Sequence, residues 1–165
     1  MWTVRPRLAV AAPAYQWIAH ASDLTVGSHR IAAYLSEAPR RPGSVQATSW
    51  DWLGMTNYRL RRWDDAARAW ERAAETAPSR RILDQWMRAE LARGDLSAAQ
   101  AVLHRMVARD STDAQAWLAL AGVTSRIPDV GDSRRAVRKA LELRPDSREA
   151  REIAAYLEKN YPEKR

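Results

Sequence analysis

SWDWLGMTNYRLRRWDDAARAWERAAETAP spans residues 49–78. Four of the chain's eight tryptophans fall within it, beside Arg59, Arg61 and Arg62. Such a stretch suits either an aromatic, basic surface that grips nucleic acid or the buried wall of a structural repeat. The spacing of its apolar residues separates the two, and so does any recurrence elsewhere in the chain.

The pattern recurs. Trp50 is followed by Leu53 and Gly54, then Asn57 and Tyr58, then Trp63, Ala66, Trp70, Ala73 and Pro78. Trp117 is followed by Leu120 and Ala121, and later by Val137, Ala140, Leu141 and Pro145. Between them lie Leu83, Trp86, Gly94, Leu96, Ala99, Leu103 and Met106. Trp50 to Trp117 is 67 residues, and so is Pro78 to Pro145. Two unrelated markers therefore agree on two periods of about 33.5 residues, the length of one helix pair in a stacked array.

Each period contains two helix-length amphipathic segments. In the second segment, Ala66, Ala69, Trp70 and Ala73 form one stripe, Asp64 and Asp65 suit the capping of exposed N–H groups, and Pro78 ends the run. Gly94 stops the next segment, and Asp95 or Ser97 can start its successor. Residues 147–161 form a further amphipathic helix on Ile153, Ala154, Tyr156 and Leu157. Its charged outer side suits a terminal cap. Upstream, Trp17 precedes Trp50 by 33 residues, which places a degenerate first helix pair over 14–46.

Composition fits one globular domain. The chain has 165 residues, 46% hydrophobic and 28% charged. It has no Phe, so Trp, Leu, Ile and Ala must fill the interior. It has no Cys, which excludes disulfides, thiolate metal sites and a cysteine nucleophile. No apolar run reaches the roughly 18 to 20 residues that span a bilayer. The opening MWTVRPRLAVAAPA has an apolar stretch too short for a signal-peptide core and is expected to be an N-terminal arm. The net charge of +7 concentrates at the two ends of the chain, which suits an acidic partner or simply a solvated surface.

The sequence resembles the tetratricopeptide repeat family, whose pattern is W-x2-L-G-x2-Y, then A-x3-F, then P. Trp50, Leu53, Gly54, Ala66, Trp70 and Pro78 match it. The Tyr slot holds Asn57 with Tyr58 beside it, and the Phe slot holds Trp70. Trp117, Leu120, Ala121, Ala140 and Pro145 match again, while the middle period ends at Ser111 without its proline. The resemblance implies an all-α, right-handed antiparallel helix-pair solenoid of three to four repeats with a C-terminal capping helix. The expected divisions are an arm at 1–13, the degenerate pair at 14–46, repeats at 47–79, 80–113 and 114–147, and a cap and tail at 148–165. It further implies a concave groove, built from the first helix of each pair, that binds a peptide or a partner's surface. One subgroup grips the C-terminal carboxylate of chaperones with Lys, Asn and Arg side chains. Here the corresponding positions hold Asp51, Met55, Gln115 and Ala119, so an adaptor of that type is not expected.

Nothing in the sequence points to catalysis. His20, His29 and His104 are far apart and lack metal spacing. Asp64 and Asp65 are adjacent and point to different sides of a helix. There is no Gly-rich phosphate loop and no Ser/His/Asp arrangement. Neither cofactor nor metal is expected. A nucleic-acid surface would need exposed aromatic rings for stacking, and the repeat buries most of these tryptophans. Trp52 and Trp2 are the exceptions.

The expected function is a non-catalytic protein-interaction scaffold or adaptor, acting as an accessory or assembly subunit of a larger complex. The expected contact surface comprises Thr48, Asp51, Trp52, Met55, Tyr58 and Arg59, then Arg81, Asp84, Gln85 and Arg88, then Gln115, Leu118, Gly122 and Arg126. The arm, with Trp2, Arg5 and Arg7, is a second candidate docking element. The alternative is a basic helical-repeat module for nucleic acid or an anionic membrane surface, with Arg59, Arg61 and Arg62, Arg80 and Arg81, and Arg134, Arg135, Arg138 and Lys139 as its track. A cytoplasmic location is expected, with the periplasm or the periphery of a membrane complex as alternatives.

Overall fold

The structure, a computed structural model, describes residues 43–162 apart from Pro128. The arm at 1–13, nearly all of the pair expected over 14–46, and Trp2, Arg5, Arg7, His20 and His29 lie outside the described residues. Within them the chain is wholly helical: α1 Gly43–Arg59, α2 Trp63–Thr76, α3 Arg80–Arg93, α4 Leu96–Arg109, α5 Ala114–Thr124, α6 Val130–Leu143 and α7 Arg148–Asn160. Short turns join α1 to α2, α3 to α4 and α5 to α6, so the members of each pair pack as antiparallel neighbours. The expected all-α class in consecutive helix pairs is the observed one. α1 begins at Gly43, upstream of the boundary expected at 47, because nothing between Gly43 and Ser49 breaks a helix.

The start signals are local chemistry. Ser79, Asp95, Asp113, Asp129 and Ser147 each accept a hydrogen bond from the backbone N–H three residues on, at 2.8–3.2 Å. α2 departs from this rule. Its N-cap is Arg62, which makes no side-chain cap bond. Asp64 and Asp65, expected as caps, instead occupy the first turn, where they meet the positive end of the helix dipole.

The chain divides after Pro78 into two compact units. In the first, α1 packs on α2 around Trp70, which is 1% exposed, and the flanking Ala66, Ala69 and Ala73. Gly54 makes this approach possible. A Cβ built there would lie 2.6 Å from Trp70 Cε2, closer than real contacts allow. The indole N–H donates to buried Asp51 Oδ1 at 3.0 Å. Tyr58 packs its ring edge-on against Trp63 at 4.8 Å and lies 5.7 Å from Trp70.

In the second unit, α3 packs on α4, α4 on α5, α5 on α6, and α7 covers both α5 and α6. Leu103, Val102, Leu120 and Ala136 are essentially inaccessible. Leu118, Ala140 and Ala150 form a buried cluster with Trp117, Leu141 and Ile153 packed against it. Buried polar groups are satisfied along the way. The Thr124 hydroxyl donates to Leu120 O at 2.7 Å, and Trp86 Nε1 donates to buried Glu90 at 2.7 Å. Trp70 and Trp86 are buried as expected; Trp50, Trp63 and Trp117 are only half-buried, because each sits at the border of its apolar stripe.

Candidate partner-binding surface

The 33-to-34-residue period aligns the first helix of each pair. Thr48, Arg81 and Gln115 share one position, as do Trp52, Gln85 and Ala119, then Met55, Arg88 and Gly122, then Arg59, Ala92 and Arg126. On α1, Thr48, Trp52, Met55 and Arg59 follow a four–three–four spacing and so share one face. Thr48 and Arg59 are exposed, with Trp52 and Met55 half-buried between them. On α3, Arg81 and Arg88 are exposed and Gln85 is half-buried. On α5, Gln115 is exposed, and Gly122 is half-buried with open space where a Cβ would project. Arg126 is exposed in the turn that follows.

Three residues of the expected surface face inward instead. Two of them, Asp51 and Leu118, share one repeat position with Asp84, and the three are used differently. Asp51 is buried because Trp70 on the facing helix brings an indole N–H that needs an acceptor. Leu118 is buried because α5 meets Ala140 and Ala150 there. Asp84 stays half-buried and holds Arg88 Nε at 2.8 Å and Arg80 Nη1 at 3.5 Å. Tyr58 is the third to turn inward. It is the bulky residue the pattern needs, and it packs between Trp63 and Trp70. Asp51, Tyr58 and Leu118 are therefore framework residues.

Arg80, expected only as part of a basic track, has a structural role. Its Nε bonds Asp113 Oδ2 at 2.5 Å, while Asp113 Oδ1 caps α5. The two residues are 33 apart, so the period itself carried the signal: residues one repeat apart become neighbours in adjacent pairs.

A second polar cluster lies on the other helices of the second unit. The Asp132 side chain, 4% exposed, receives His104 Nε2 at 2.9 Å, Gln100 Nε2 at 3.0 Å and the Arg135 guanidinium. Burial pushes the Asp132 carboxyl up. The hydrogen bonds from Arg135 and Gln100, with the charges of His104 and Arg135, outweigh it and hold the carboxyl below its ordinary value. His104 thus joins α4 to α6. No group of His, Asp and Glu among the described residues has the arrangement of a metal site.

Tetratricopeptide repeat models match residues 47–80 and 80–123. Residues 47–123 are tetratricopeptide repeats. Several solved tetratricopeptide structures share the chain's fold. A tetratricopeptide protein from Parabacteroides merdae superposes with a TM-score of 0.69 at 18% identity, covering 88% of this chain and 56% of that one. The first tetratricopeptide domain of Spaghetti (RPAP3), bound to the HSP90 peptide SRMEEVD, gives 0.56 at 16% identity, covering 67% and 92%. YrrB, described as having an unusual peptide-binding site, gives 0.57 at 13% identity, covering 84% and 78%. No curated protein matches the sequence. At these identities the tetratricopeptide likeness establishes the fold. No helix among the described residues is long and apolar enough to cross a membrane.

Proposed function

We propose that this protein is a non-catalytic interaction module that binds a partner peptide or protein surface on the first helices of its repeats. The carrying observation is the α1 stripe of Thr48, Trp52, Met55 and Arg59, which sets two large apolar side chains between polar ends on a face neighbouring the one packed on α2. Aromatic, Met and Arg residues are those enriched at protein-binding surfaces. Structurally similar tetratricopeptide proteins bind peptides, which supports the same class of ligand here. The second unit carries its own candidate contact residues, Arg88, Gln115, Gly122 and Arg126.

The test is co-purification from native extract with immobilised full-length chain. Met55→Asp together with Arg88→Glu is expected to abolish specific capture while leaving the helical circular dichroism signal unchanged. Unchanged capture would overturn this assignment of the surface. Micromolar binding of random RNA at about 150 mM salt, lost steeply as salt rises, would overturn the protein-binding reading in favour of nucleic acid.

A further inference from the structure

The end of α1 and the turn that follows carry three arginines in four residues, Arg59, Arg61 and Arg62, all exposed. No ion pair or side-chain hydrogen bond holds any of the three among the described residues. Arg109, Arg126, Arg138 and Arg144 in the second unit are likewise unpaired among the described residues but are scattered along the chain, while others there are held. Arg80, Arg88, Arg93, Arg135 and Arg148 each sit on a carboxylate.

Two of the three occupy places where the backbone favours another residue. Arg61 has φ +58, the left-handed conformation that suits glycine. One period later the same place holds Gly94, at φ +85. Arg62 is the N-cap of α2, where the five following helices use Ser or Asp. A guanidinium has no acceptor with which to cap. Local rules broken at adjacent positions, without a structural gain, mark the side chains themselves as the purpose.

The frame that holds them is rigid. Arg62 N–H bonds Asn57 O at 2.9 Å and Arg61 N–H bonds Tyr58 O at 3.0 Å, wrapping the end of α1. Tyr58 and Trp63, one on each side of the turn, clamp it edge-to-face. With the backbone of the turn already fixed, binding an anion has to order only the three side chains.

We propose that this turn is a recognition site for an acidic segment of the partner protein, with Arg59, Arg61 and Arg62 binding two or three of its carboxylates. The proposal rests on the protein-binding reading above and adds the partner's chemistry. A single-stranded nucleic acid is a poorer fit. It needs a longer basic track and bare aromatic faces, and here Tyr58 and Trp63 are packed on each other. A lipid surface is poorer still, since Leu60, the turn's one apolar residue, is half-buried.

The test is fluorescence anisotropy on the full chain with a fluorescein-labelled peptide of Glu-Glu-Leu repeats, at about 50 mM salt. The variant Arg59→Gln, Arg61→Gly, Arg62→Ser puts locally favoured residues at two of its three sites, so its Tm is expected to equal or exceed the parent's. Its affinity for the acidic peptide is expected to fall about tenfold or more, and the parent is expected to ignore a Gln-Gln-Leu peptide. Binding by the triple variant within about twofold of the parent overturns the proposal. So does a parent that fails to bind the acidic peptide. Tighter, arginine-dependent binding to oligo-uridine or to phosphatidylserine vesicles also overturns it and assigns the turn to that ligand instead. If Met55→Asp with Arg88→Glu abolishes partner capture while the triple variant does not, the general reading survives and this one fails. If the triple variant loses the acidic peptide while capture is insensitive to Met55 and Arg88, the turn stands as the acidic-segment site and the helix-face assignment fails.

Discussion

The first helix pair, α1–α2, and the second, α3–α4, follow one period yet place their buried tryptophan on opposite helices. In the first pair Trp70 sits on the second helix and reaches Asp51 on the first. In the second pair Trp86 sits on the first helix, donates to Glu90 one turn along, and has Arg105 from α4 over its ring at 5.0 Å. The positions equivalent to Gly54 and Trp70 hold Met87 and Leu103 in the second pair and Ala121 and Val137 in the third. In the first pair a large side chain is matched by none, in the second two medium residues meet, and in the third both are smaller. The first two pairs thus fill the space between their helices with different residues, as close packing allows.

The largest effect expected from breaking this match is at Trp70. Trp70→Leu, which imitates Leu103, leaves a cavity and an Asp51 carboxylate without its indole donor, and is expected to cost about 3–5 kcal/mol by urea denaturation. Gly54→Ala alone is expected to cost about 1–3 kcal/mol, because its Cβ meets the indole. Combined with Trp70→Leu, it should cost nothing further or partly restore stability. A double-mutant cycle showing simple additivity would mean that the two residues do not share the space described.

Smaller effects distinguish the remaining features. Asp132→Asn is expected to lose about 1–2 kcal/mol at neutral pH. Folded Asp132 has a lowered pKa, so its contribution is present above the ordinary carboxylate pKa of about 4 and is lost as pH falls through the lower folded value. The Asn variant should therefore show a shallower loss of stability on acidification, measured as the urea midpoint against pH. The smallest effect concerns the matched pair Arg61 and Gly94. Arg61→Gly is expected to stabilise by about 0.5–1 kcal/mol and Gly94→Arg to destabilise by about 1 kcal/mol, both read from Tm.

Much of the fold was legible because periodicity survives change at single positions. Trp50 and Trp117, Pro78 and Pro145, and the helix stop at Gly94 fixed the phase. The candidate surface was less legible. Asp51 and Tyr58 lie about one residue's rotation from Trp52 and Met55 on α1, and a polar residue at such a border turns toward whichever neighbour needs it. Asp51 turned inward because the family's Phe slot holds Trp70, whose N–H must be satisfied. In the second pair that slot holds Leu103, which donates nothing, and Asp84 joins the surface arginines instead. Leu118 could have been placed from its own character, since an aliphatic residue flanked by Trp117 and Ala119 on a strongly apolar helix belongs in the core.

Asp113 has a consequence for how the second unit comes apart. One of its oxygens starts α5 and the other holds Arg80 at the start of α3. Opening the third pair therefore releases a cation in the second, so the two cannot fray independently at that seam. In a linear array, such a shared residue contributes to the nearest-neighbour coupling that makes separate hairpins melt as one cooperative block. Hydrogen exchange would register its loss as faster exchange at the Ala116 amide and in the first turn of α3 together, well below the threshold of global unfolding.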